Sequence, residues 1–227
     1  MEMFMSEVIF KRPLPLVPPF VDIADPIDGL LKTQSLDSPI PVGVKVWEAA
    51  EPGYYFQLML DGVLVGDIRT ITEADERGEI ITVYLNQNLL NNDGSYSLRY
   101  MASSPFADSH VPSSETTLKV DRSPPGAALL APLIFPTASF GDRLIGLLPG
   151  YAGMARGDVI QTLCNDIPGP AHTVAADELT LRPIEIGFDR ELLHSLATDT
   201  VLIEYIVTDR AGNGSTTSLP TLVSLQV

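Results

Sequence analysis

The feature that most constrains this 227-residue chain is one pattern of apolar residues written twice, in the same order and at a nearly constant offset. Ile81, Val83, Leu85, Leu89 and Leu90 return 103 residues later as Ile184, Ile186, Phe188, Leu192 and Leu193. Upstream, Phe56 to Gly62 matches Ile160 to Asp166 at an offset of 104. Downstream, Leu98 to Ala102 matches Ile203 to Val207 at 105, and Leu118 to Val120 matches Leu225 to Val227 at 107. Chance matches would not keep chain order. Offsets that change only between apolar runs are what loop-length variation produces in a repeated domain.

Between the copies lies Asp121-Arg122-Ser123-Pro124-Pro125-Gly126, whose Pro-Pro pair continues neither a helix nor a central strand and reads as a semi-stiff linker. A second Pro-rich stretch, Pro13 to Pro19, leads into the first copy as a linker or an edge strand. The domains expected are therefore a lead-in at 1–16, a first domain at 17–122 and a second at 123–227. Within each copy the apolar runs are short, alternate and are punctuated by Pro and Gly, which favours strands over helices. Strands are expected at Pro41–Trp47, Tyr54–Leu60, Val63–Ile68, Ile80–Tyr84, Ser95–Ser103 and Glu115–Val120. Their counterparts are Arg143–Leu148, Val159–Asn165, His172–Ala176, Leu181–Phe188, Thr200–Asp209 and Leu222–Val227. Asp61-Gly62 between apolar flanks is the sharpest local signal, because that pair supplies the positive φ angles of a two-residue hairpin turn.

Two segments name a family. Asp93-Gly94-Ser95-Tyr96-Ser97-Leu98 resembles the tyrosine-corner strand of immunoglobulin-like domains, with Leu98 where antibody domains place a cysteine. The second copy has Asp199-Thr200-Val201 there, so packing alone must hold that corner. Ile206 to Ser215 resembles the V-T-D-x-A-G-N-x-S end of bacterial immunoglobulin-like repeats, which occur in tandem in large surface and adhesin proteins. In that loop Gly and Asn permit left-handed backbone, and Asp209 can bond to the main chain. The first-copy counterpart, Ser103 to Asp108, has lost the motif. The resemblance implies an all-β chain of two tandem immunoglobulin-like β-sandwich domains joined by a short Pro-rich linker.

Composition narrows the partners. Fourteen basic residues against 29 acidic ones leave a net charge of −15, a surface that repels phosphates and anionic headgroups. Neither nucleic acid nor membrane insertion is expected, and no run is long enough to span a bilayer. The single cysteine, Cys164, excludes an intrachain disulfide and a cysteine-based metal site; its apolar run marks it as a buried thiol. The first ten residues are acidic before they are basic, the reverse of a secretory signal. The chain is then cytoplasmic, exported without a cleaved leader, or cut from a longer protein; the resemblance favours the cell surface or the extracellular space.

No catalytic set is legible: His110, His172 and His194 lack metal-ligand spacing, and there is no nucleophile elbow, phosphate loop or zinc motif. An enzyme is not expected. Glu73 to Glu79 lacks the alternating oxygens of a calcium loop and reads as a solvated connection. Similar bacterial repeats hold calcium at domain junctions, which makes Asp22, Asp25, Asp28 and Asp121 the candidate ligands here; no other cofactor is expected. Trp47, Tyr54, Tyr55 and Phe56 form the densest aromatic group. Strand alternation turns at least half of them inward, leaving Trp47, Tyr54 and Tyr55 as candidate exposed rings for a protein or carbohydrate. The function expected is a non-catalytic spacer or adhesion module, a monomeric rod or a slice of a longer array. The alternatives are a specific protein- or carbohydrate-binding module using the loops at the sandwich ends, and a non-catalytic part of a secreted toxin.

Overall fold

A computed structural model describes residues 15–106, 109–136, 142–180, 183–196 and 199–225. Ala107, Asp108, Leu181, Gln226 and Val227, which entered the expectations above, lie outside them, as does most of the lead-in. The chain divides into two compact units: the described residues of Met1–Leu31 with Ser35–Lys119, and Lys32–Gln34 with Val120–Val227.

The first unit contains β1 (Ile40–Lys45), β2 (Tyr55–Leu60), β3 (Val63–Thr70), β4 (Ile80–Leu85), β5 (Gly94–Ser104), β6 (Ser109–Pro112) and β7 (Thr116–Val120). β1 pairs antiparallel with β4, and Phe20 extends that sheet by bridging to Gly43. The facing sheet runs β3-β2-β5, with β6 and β7 both on β5. β2 alternates as a half-buried strand should: its even positions Phe56, Leu58 and Leu60 are buried. Val42 and Val44 of β1, Leu85 of β4 and Leu98 and Tyr100 of β5 are buried as well.

The second unit repeats the plan with β8 (Arg143–Leu148), β9 (Val159–Cys164), β10 (Ile167–Thr173), β11 (Ile184–Asp189), β12 (Thr200–Thr208) and β13 (Thr221–Ser224). β8 pairs with β11, and the other sheet runs β10-β9-β12-β13. Ile160, Cys164, Ile186, Phe188, Ile203, Tyr205 and Val207 belong to one buried cluster. Each unit is thus a two-sheet antiparallel sandwich in which the fourth strand pairs with the first and the third with the second, an immunoglobulin-like arrangement.

The repetition reaches single hydrogen bonds. The Tyr100 amide donates to Ser113 Oγ at 3.1 Å, and the Tyr205 amide donates to Ser218 Oγ at 3.0 Å. Gln57 Nε2 donates to the Gly66 carbonyl and Gln161 Nε2 to the Gly169 carbonyl, both at 2.8 Å. The hairpin turns correspond as well. Asp61 and Gly62 have φ of 48° and 83°, as the Asp-Gly signal requires, and Asn165 and Asp166 have 50° and 64°. In each turn the first side chain reaches back: Asp61 Oδ1 accepts from the Ser97 amide at 2.7 Å and Asn165 Oδ1 from the Leu202 amide at 2.8 Å.

The structure departs from the expected strands in three places. β10 begins at Ile167, well before His172, because Pro168 and Pro170 are tolerated on an outer strand whose far edge makes no ladder. β3, the corresponding outer strand, contains no proline. The second Leu-Leu pair sits on a short helix, α1 (Arg190–Ser195), and the first borders a 3-10 turn at Gln87–Leu89. Leu90 and Leu193 are fully buried, each contributing about 2 kcal/mol of hydrophobic stabilisation. Finally, Ser109–Pro112, between the expected strands Ser95–Ser103 and Glu115–Val120, forms β6. The Pro-rich linker is also partly absorbed: Pro125 and Gly126 are buried in the second unit, and the Gly126 amide donates to the Ala152 carbonyl at 2.8 Å.

Candidate functional site

The aromatic group marks one end of the first sandwich. β1 runs out at Lys45 and delivers Trp47, while the turn before β2 delivers Tyr54. The Trp47 ring stacks on Tyr100 at 6.3 Å and meets Phe56 and Tyr54 edge-on at 6.4 and 6.5 Å. Phe106, 75% exposed, packs on Tyr54 at 6.1 Å. None of Trp47, Tyr54 and Tyr55 is fully exposed: each is half-buried, and Tyr55 leaves the group because alternation turns it away from Phe56. The exposed ring of this group is Phe106, in the turn after β5.

Beside Trp47 lies an apolar groove of 620 Å³ whose lining includes Pro15, Leu16, Val17, Lys45 and Tyr100. Tyr100 is fully buried, and its hydroxyl has no hydrogen-bond partner among the described residues. Burial pushes that hydroxyl's pKa up to about 12, so it remains a donor at any ordinary pH. The same tyrosine in the second unit is satisfied: Tyr205 Oη donates to the Ala131 carbonyl at 2.8 Å.

The duplicated pattern places Tyr151 opposite Trp47 and Asp158 opposite Tyr54. Where the first unit has an aromatic contact, the second has a hydrogen bond, from Tyr151 Oη to Asp158 Oδ2 at 2.8 Å. The Ala155 amide donates to the same oxygen at 2.9 Å. Asp158 is fully buried and its Oδ1 has no partner among the described residues. Burial is the main cause that raises its pKa, with Asp209 and Asp121 adding repulsion against two donated hydrogen bonds. This carboxylate was not singled out in the sequence, although its alignment with Tyr54 between Gly157 and Val159 carried the signal.

The loop at Ile206–Ser215 is tied as its residue types suggested. Asp209 Oδ1 accepts from the Asn213 amide and Oδ2 from Asn213 Nδ2, both at 2.8 Å, and Gly212 takes a φ of 95°. Within the same unit, Asn213 Nδ2 also donates to the Asp121 carbonyl at 3.0 Å, and Thr33 Oγ1 donates to Asn213 Oδ1 at 2.9 Å. Asp121 uses its side chain locally, accepting from the Ser123 amide. In the first unit Asp25 accepts from the Ile27 amide, Asp28 accepts from the Leu30 amide with Lys119 at 3.9 Å, and Asp22 is exposed. Among the described residues no three His, Cys, Asp or Glu side chains gather around a common metal position.

The remaining groups serve local structure. Asp75, in the acidic connection, accepts from the Thr72 amide and hydroxyl and pairs with Arg69 at 2.6 Å, contacts that hold its pKa down. His110 Nδ1 lies 2.7 Å from the buried Ser103 hydroxyl, His172 Nε2 lies 2.9 Å from Glu178, and His194 is exposed in the last turn of α1. Cys164 is a buried free thiol whose pKa burial raises.

No family model matches the sequence, and no curated protein matches it. Among solved structures the chain is similar to one described as "Structural insight into host cell surface retention of a 1.5-MDa bacterial ice-binding adhesin". The identity there is 17%, the TM-score is 0.46, and the match covers 86% of this chain and 59% of that one. It is also similar to fibronectin(III)-like modules of Clostridium thermocellum CbhA, at 14% identity and a TM-score of 0.44, over 90% of this chain and 91% of that one. A third likeness is to the FN1-FN3 domains of chicken CNTN1, at 8% identity and a TM-score of 0.37, over 92% and 69%.

Proposed function

We propose that the chain is a non-catalytic structural module, two immunoglobulin-like units in series that space or present other parts of a bacterial surface or secreted protein. The observation that carries this reading is the recurrence of the same scaffold hydrogen bonds in both units, from the Ser113 and Ser218 hydroxyls to the Asp61 and Asn165 turns. What the two copies keep in common is what builds a sandwich, and the rings and acids at their ends are what differ. A repeated frame with divergent ends suits a unit selected for holding its shape. The resemblance at Ile206–Ser215 supports the surface assignment, and further copies of the unit in the same polypeptide would make the pair part of a longer array. The test is replacement within the full-length parent protein. Exchanging both units for an unrelated pair of inert sandwiches of equal length preserves function in a spacer and abolishes it in a binder.

A second reading is favoured by Phe106, a large ring 75% exposed in a loop at a sandwich end and backed by Tyr54. On this reading the first unit binds a protein or carbohydrate through that loop. A glycan and protein array probed with the full chain and with Phe106→Ala tests it: a signal lost in the variant at unchanged melting temperature supports binding, and no signal from either chain refutes it.

A further inference from the structure

Asn213 is followed by glycine, and no other asparagine of the chain is. That pair carries a covalent reaction of its own. The backbone nitrogen of the following residue attacks the asparagine Cγ, the bond from Cγ to Nδ2 breaks, ammonia leaves, and a succinimide ring remains. Water then opens the ring at either carbonyl, giving an aspartyl or an isoaspartyl residue in place of the amide. Nothing beyond water is consumed. Glycine at the attacking position favours the step because no side chain shields its nitrogen. A methyl group built on Gly214 would meet no described atom within 4 Å.

The fold withholds the approach. Cγ must swing over the Gly214 nitrogen to be attacked, and both polar atoms of the Asn213 side chain are held elsewhere. Nδ2 donates to Asp209 Oδ2 at 2.8 Å and to the Asp121 carbonyl at 3.0 Å, while Oδ1 accepts from Thr33 Oγ1 at 2.9 Å. The main chain is fixed as well: the Asn213 amide donates to Asp209 Oδ1, the Asp209 amide donates to the Asn213 carbonyl, and Gly214 bridges to Thr208. Asn213 is also buried, so water is largely excluded. The reaction therefore runs from a locally opened loop, at a rate set by how often those bonds break together.

The product cannot restore the closed loop. Either form sets a carboxylate against Asp209 Oδ2, where the amide donated, in a neighbourhood where Asp209 and Asp121 already repel Asp158. The isoaspartyl form also lengthens the main chain by one carbon, which shifts the bridge to Thr208 out of register.

We infer that Asn213 is a fold-gated deamidation site: opening of the loop at residues 209–214 exposes its amide to Gly214, and the acid that forms leaves the Asp209 carboxylate and the Asp121 carbonyl without their donor. The change is one-way, so a converted chain is one whose loop has opened.

Incubation of the full chain at mildly alkaline pH, native and in denaturant, reads the gate. Trypsin cleavage after Arg210 releases a peptide whose sole asparagine is Asn213, and mass spectrometry with isoaspartyl-specific methylation follows its conversion. The native chain should convert at least about tenfold more slowly than the denatured one. Thr33→Ala should speed native conversion about fivefold, the effect of one lost hydrogen bond on the opening equilibrium, and leave the denatured rate unchanged. Gly214→Ala should slow both conversions severalfold while the melt of the second unit stays where it was. The converted chain, separated by its extra negative charge, should melt lower in the second unit and unchanged in the first. Equal rates in the native and denatured chains overturn the gate, absence of conversion in denaturant overturns the site, and an unaltered melt of the converted chain overturns the consequence. If Thr33→Ala unfolds the second unit, the ratio of native to denatured rates in the unsubstituted chain decides.

Discussion

The Tyr96 hydroxyl donates to the Asn92 carbonyl four residues upstream at 2.8 Å and also lies 3.3 Å from the Asn92 amide. This closes the tyrosine corner read from Asp93 to Leu98. Val201, its counterpart, is a fully buried aliphatic side chain with no such bond to make. Tyr96→Phe should therefore destabilise the first unit by about 1 kcal/mol and leave the second unchanged, as two resolved transitions in a calorimetric melt would report.

The hairpin turns provide a matched pair of tests. Asp61 and Asn165 each combine a positive φ with a side-chain bond to a backbone amide of the neighbouring strand. Asp61→Ala and Asn165→Ala should each cost about 1–2 kcal/mol in their own unit, since alanine supplies neither the bond nor tolerance of left-handed backbone. Asp61→Asn should be nearly neutral. Chemical denaturation of the four chains checks the pattern.

Asn213 joins three partners, the Asp209 carboxylate, the Asp121 carbonyl and the Thr33 hydroxyl, at 8% exposure. Asn213→Ala leaves all three short of a partner in a site from which water is largely excluded. A loss of about 2–3 kcal/mol is expected, with faster hydrogen exchange at the residue 213 amide. Asn213→Asp should fare no better, because it sets a second carboxylate against Asp209.

Asp158 governs a pH effect of defined sign. Its folded pKa is raised, so it binds a proton more tightly folded than unfolded. The stability this provides is full below the unfolded carboxyl value of about 4 and is lost as pH rises through the folded value. Asp158→Asn removes the buried charge and keeps an oxygen for Tyr151 and Ala155. Near neutral pH the variant should melt higher, by about 1 kcal/mol of stability, and the advantage should vanish in acid. Thermal melts of both chains across that range check it; a constant difference between them would contradict the assignment.

Most of the frame was legible because it rests on period-two alternation and turn chemistry, both local. β2, β8 and β9 fell within a residue of their expected bounds, and Asp61-Gly62, Tyr96 and Asp209 behave as their residue types require. The misses share a cause. Pro168 and Pro170 look like breakers until one knows that their strand is an outer one. Arg190–Ser195 forms a helix only because Leu193 finds the core from that turn. Likewise the half-burial of Trp47 and Tyr54 depends on Tyr100 and Phe106, partners distant in sequence. The orphaned hydroxyl of Tyr100 and the buried charge of Asp158 could not be read from either copy alone; each becomes visible when the units are laid over one another.

The prolines of β10 also bear on how such a chain survives its own synthesis. Copies that emerge from the ribosome one after another, with the same strand order, are prone to exchange strands before either has closed, and exposed outer edges are where this begins. β3 presents amides along its outer edge, but residues 168 and 170 of its counterpart have none to offer. The hybrid sheet that would join the two outer strands thus lacks part of its ladder, so divergence at this edge acts as a kinetic safeguard against entanglement between sister domains.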